Sequence, residues 1–126
     1  MSKQIVATGQ APGAIGPYSQ GIAVGNLVFT SGQLPIDMRT GELETADISL
    51  ATRYALQNVG AILRAAGLDF AQVVKTTVFL TDLADFAAVN QAYAEFFAQD
   101  PPARSCVQVA ALPKGARIEI EAVAAK

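Results

Sequence analysis

RIEIEAVA, residues 117–124, sets Ile118, Ile120, Ala122 and Ala124 at every second position, with Arg117, Glu119 and Glu121 between them. A period of two is the pattern of a strand with one face on a core. Upstream, RSCVQVA at 104–110 repeats it. There Ser105, Val107 and Val109 are expected towards the core, and Arg104, Cys106 and Gln108 away from it. VVKTTVFL at 73–80 is rich in β-branched residues and too short for a helix, so it reads as another strand. Strands at 19–24 and 27–31, turned at Gly25-Asn26, make a hairpin.

Two helical patterns separate these strands. Over 48–66, the residues Ile48, Ala51, Ala55, Val59, Ile62, Leu63 and Ala66 recur at three- and four-residue spacing as one apolar stripe. Asp47 is placed to cap that helix and Gly67 to stop it. A second helix is expected over 86–98, with Phe86, Val89, Tyr93 and Phe96 on one face, Asp85 as its cap and Pro101-Pro102 beyond its end. Residues 8–18 and 32–46 read as irregular connections. Glu42, Glu44 and Asp47 in the second could hold a hard cation, although a solvated run into a helix N-terminus is the simpler reading. The order of elements implies an α+β fold, a sheet covered on one face by two helices. Arg104 and Glu119 would then project together from the helix-free face. They are either an ion pair in water or part of a pocket that a second subunit covers.

Composition narrows the function. A chain of 126 residues with 52% hydrophobic and 16% charged residues is expected to form one domain, residues 1–126, and is too apolar for a disordered tail. Nine Lys and Arg against eleven Asp and Glu argue against a nucleic-acid partner. With no histidine, an imidazole base and a His-ligated metal are excluded within this chain. A single cysteine excludes an intrachain disulfide and Cys-rich metal centres. No export signal or membrane-length apolar run is visible, so a cytoplasmic protein is expected. The apolar surplus favours a homo-oligomer.

Individual residues leave alternatives open. Gly13, Gly16 and Gly21 lack the GK[ST] of a phosphate loop and read as turn glycines. Cys106 is either a small buried apolar residue or a thiol activated by Arg104. Ser31 has no histidine to activate it, Tyr18 is a loop aromatic, and Asn90 is a surface or capping residue. Lys114 and Arg117 are too few for a nucleic-acid footprint.

Four motifs together resemble the RidA family of enamine/imine deaminases, also called YjgF or liver perchloric-acid-soluble proteins. They are IGPYSQG at 15–21, TSGQLP at 30–35, VKTTVFLTDLADF at 74–86 and PARSCVQVAALPKGARIEIEA at 102–122. The resemblance implies a chorismate-mutase-like α+β domain with a mixed six-stranded sheet, assembled as a homotrimer with sites between subunits. It implies hydrolysis of 2-imino acids to 2-oxo acids and ammonia, with no metal or other cofactor. It makes Arg104 the carboxylate-binding residue and Glu119 the group that positions and deprotonates water. Tyr18, Ser31, Gly32, Asn90 and Cys106 would contact substrate, Cys106 through its main chain. Gln108 and Ala111 stand where family members often carry Glu and Arg. Two other classes stay open, a non-catalytic ligand-binding or holdase-like trimer and a ribonuclease or translation inhibitor.

Overall fold

A computed structural model describes residues 2–126. The chain runs β1 (Gln4–Val6), β2 (Gly21–Val24), β3 (Leu27–Thr30), β4 (Ile36–Asp37), β5 (Glu42–Leu43), α1 (Ile48–Ala65), β6 (Val73–Leu80), α2 (Phe86–Ala94), β7 (Ala103–Gln108) and β8 (Ile118–Ala125). Six strands form a mixed sheet in the order β1-β2-β3-β8-β6-β7. Among the described residues only β6 and β7 pair in parallel, because α2 carries the chain across between them. The C-terminal strand β8 thus lies between β3 and β6, with Phe79 opposite Glu119 and Val78 opposite Ile120.

Both helices cover the same side. Leu56, Val59 and Leu63 of α1 and Val89 of α2 pack with Val28, Val78, Leu80, Ile118 and Ile120 of the sheet in one buried cluster. Asp47 caps α1 as expected, accepting from Leu50 N at 3.1 Å, and Gly67 has the left-handed φ of 81° that a helix stop requires. No helix among the described residues is long and apolar enough to cross a membrane.

Several expectations are corrected. The N-terminus contributes β1, which pairs with β2 although only Val6 of its residues is buried. Segment 32–46 holds a small β4–β5 ladder, pinned by Asn58 Nδ2 donating to Leu34 O and Ile36 O. The α2 helix ends at Ala94 rather than 98, and it is Phe97, not Phe96, that is buried beside Tyr93. Asp85 makes no capping bond there; it pairs with Arg117 at 2.9 Å, while Asp82 and Gln108 accept from Ala84 N and Leu83 N in the preceding turn. Glu44 and Asp47 spend their carboxylates on backbone N–H groups of residues 46, 47 and 50.

The largest correction concerns β7. Arg104 is in register with Thr76, which is fully buried beneath the helices, so Arg104 lies on the helix-covered side. Val107 pairs with Phe79 on the other side and is 42% exposed. β7 is an edge strand, and the space under it is filled by α2 rings and the Arg104 stem rather than by valines. Arg104 and Glu119 therefore project from opposite faces of one chain.

Candidate active site

Glu119 sits on the helix-free face of β8, in a cleft of about 570 Å³ lined also by Tyr18, Ser31, Gly32, Lys114 and Glu121. The sequence builds this cleft by pinning the loop after β3 to the central strand β8, and the loop before β2 to that loop. Gln33 exchanges backbone hydrogen bonds with Ile120 at 2.8 and 3.1 Å, and its side-chain amide donates to Ser31 O and Gly32 O. Gly32 is thereby pressed against Glu119: a Cβ there would stand 2.8 Å from the carboxylate carbon Cδ. A side chain at residue 32 would have to push the carboxylate aside. Ser31 Oγ donates to Ser19 O at 2.6 Å, so this hydroxyl serves the loop as a tie. Tyr18 is half exposed at the rim.

A residue not singled out by its sequence holds the loop before β2. Gln20 is buried, accepts from Thr8 N at 2.7 Å, and donates to Thr8 O, Ala11 O and Pro12 O. A polar residue at a strand's start carries no sequence signal for that role. Glu121 was visible as Glu119's neighbour on the strand face, but its place in the same cleft was not.

Burial pushes the Glu119 carboxyl up from the usual carboxylate range, and repulsion from Glu121 adds to the shift. A carboxyl that holds its proton more tightly is a better proton carrier near neutrality. Lys114 has a left-handed φ of 60° in the turn that borders the cleft.

A second cluster lies across the sheet. Arg104 Nη1 donates to Asn90 Oδ1 at 2.8 Å, and the guanidinium carbon lies 4.9 Å from the Tyr93 ring centroid and 5.4 Å from that of Phe86. Cys106 follows on the same side of β7, half-buried against the core. Burial pushes its thiol up, and the opposing effect of Arg104 is smaller, which disfavours a thiolate nucleophile. Tyr18, Ser31, Gly32 and Glu119 are thus gathered in one cluster, and Asn90, Arg104 and Cys106 in another. The chain alone does not join the two. No group of three or more His, Cys, Asp or Glu side chains suited to a metal occurs among the described residues.

A family model described as Endoribonuclease L-PSP matches residues 8–126. The RutC family protein y4sK of Sinorhizobium fredii is 57% identical over 118 residues, covering 94% of each chain. The 2-iminobutanoate/2-iminopropanoate deaminase of Escherichia coli strain K12 is 54% identical over 129 residues, covering 100% of this chain and 99% of that one. A crystal structure of E. coli TdcF with bound serine superposes with a TM-score of 0.93 at 52% identity, covering 98% of each chain.

Proposed function

The chain belongs to the endoribonuclease L-PSP family, the RidA-type family its motifs resemble, and from that membership we propose that it is a 2-imino acid deaminase. It would hydrolyse 2-iminobutanoate and 2-iminopropanoate to the 2-oxo acids and ammonia. One observation carries the reading: an arginine held against two aromatic rings and a half-buried glutamate whose carboxyl is pushed up stand on opposite faces of one chain. Each is half of a carboxylate-binding hydrolytic site, and a neighbouring copy would bring the halves together. We assign a single domain assembled as a homotrimer, in which the Arg104 cluster of one subunit closes on the Glu119 cleft of the next. The exposed Leu27, Phe29 and Val107 on the helix-free face support such burial. The lone cysteine fits a cytoplasmic enzyme.

Arg104 takes the substrate carboxylate through its planar fork. Glu119 accepts a proton from water as the oxygen attacks C2 of the protonated imine, giving a neutral carbinolamine. That proton passes to the amino nitrogen. Glu119 then takes the hydroxyl proton as the C–N bond breaks, leaving the 2-oxo acid and ammonia, and the ammonia leaves as ammonium with the last proton. General-base action of this kind contributes ~10²–10⁴-fold. Main-chain groups at Gly32 and Cys106, with Tyr18, Ser31 and Asn90, frame the substrate. The scheme draws on no metal or organic cofactor, so exhaustive chelation should leave the rate unchanged.

The test is a coupled assay in which a pyridoxal-phosphate-dependent threonine dehydratase generates the four-carbon enamine. Release of 2-oxobutanoate and ammonia should accelerate in proportion to added protein. No acceleration, from this substrate or its three-carbon homologue, overturns the proposal.

A further inference from the structure

Resting on the carboxylate role proposed for Arg104, the surroundings of its guanidinium point to residues that act through it. Phe86, Asn90 and Tyr93 fall at i, i+4 and i+7 along α2, so they form one stripe facing the edge strand. Arg104 meets all three. Both rings lie within the range at which a guanidinium is attracted to a π face. Tyr93 is itself fixed: it is buried, and its hydroxyl shares a 2.7 Å hydrogen bond with Thr76 Oγ1. Thr76 is the β6 residue in register with Arg104. One strand residue therefore holds the ring, and the ring helps hold the neighbouring strand's arginine. Asn90 occupies Nη1, while Nε and Nη2 have no hydrogen-bond partner among the described residues.

We propose that Phe86 and Tyr93 are positioning residues that fix the Arg104 plane so that its Nε–Nη2 edge receives the substrate carboxylate side-on. A free arginine loses side-chain freedom when it binds, whereas one already held between two rings and the Asn90 amide has lost much of it on folding. The clamp acts on capture and not on water attack, which belongs to Glu119 across the sheet. It sets KM.

Phe86 is 39% exposed, so a smaller side chain there leaves the core intact. Phe86→Leu should raise KM for 2-iminobutanoate, and Kd for 2-oxobutanoate by calorimetry, roughly two- to thirtyfold with little change in kcat. Phe86→Tyr should restore both, and Tyr93→Phe, which frees the ring from Thr76, should move them in the same direction as Phe86→Leu. In an Arg104→Lys background Phe86→Leu should have no further effect, because an ammonium has no plane to hold. A purely structural role would instead lower the thermal midpoint and shift KM equally in both backgrounds, which overturns the clamp. Unchanged KM and Kd in Phe86→Leu overturn it too. If the parent protein binds 2-oxobutanoate, and Phe86→Leu weakens that binding, but no imine hydrolysis is accelerated, the deaminase reading falls and the clamp stands.

Discussion

Glu119 keeps its proton to higher pH than an ordinary carboxyl for two reasons, burial and the charge of Glu121 on the same strand face. Glu121→Gln removes the second while keeping side-chain size. Glu119 should then ionise at lower pH, and the acid limb of the kcat/KM profile should move down; a limb that stays in place would separate the titrating base from Glu119. Gly32→Ala probes the same carboxylate by contact. The added methyl must displace the acid, and a misplacement of about 1 Å is enough to cost ~10²-fold in rate. The expected result is a fall in kcat with a nearly unchanged melting temperature. At this scale the sequence is a partial guide. Alternation put Glu119 on the helix-free face, because β8 is central and its isoleucines are all buried. It misplaced Arg104, because an edge strand has no obligation to turn its valines inward. The Arg104 contacts to Phe86 and Tyr93 were illegible, since they join residues from two elements whose relative rotation no local pattern sets.

Among the elements, the long periodic ones and the β2–β3 hairpin were legible, and the strands of two or three residues were not. α1 and β8 have enough repeats to declare their faces. β1, β4 and β5 are two or three residues each and exist through pairing partners supplied from elsewhere in the chain. α2 stops at Ala94, and Phe97 still packs beside Tyr93, the place a continued helix would also have given a residue four positions on. The loop from Thr8 to Gln20 is governed by one side chain. Gln20→Ala strands Thr8 N and removes the amide partner of three carbonyls. An unsatisfied buried group costs ~1–3 kcal/mol, so thermal unfolding should come several degrees earlier, at about 2–8 °C per kcal/mol for domains near this size. Limited proteolysis should cut first near 12–18, and equal cutting rates in parent and variant would deny Gln20 this role.

For the whole molecule, the decisive feature is that the sheet has one face filled by helices and another bearing Leu27, Phe29 and Val107 in the open. Phe29→Asp should break the proposed assembly into cooperatively folded monomers by light scattering. Those monomers should have no deaminase activity although Arg104 and Glu119 remain. Active monomers would show that one chain suffices. The opposed half-sites carry a genetic consequence as well. In a closed ring of heterologous contacts, each active centre draws its arginine from one copy and its acid from another. Arg104→Ala and Glu119→Gln subunits, each inert as pure rings, should therefore complement when unfolded and refolded together. Random mixing in equal amounts regenerates about one intact centre in four, and never more than one in a given three-membered ring.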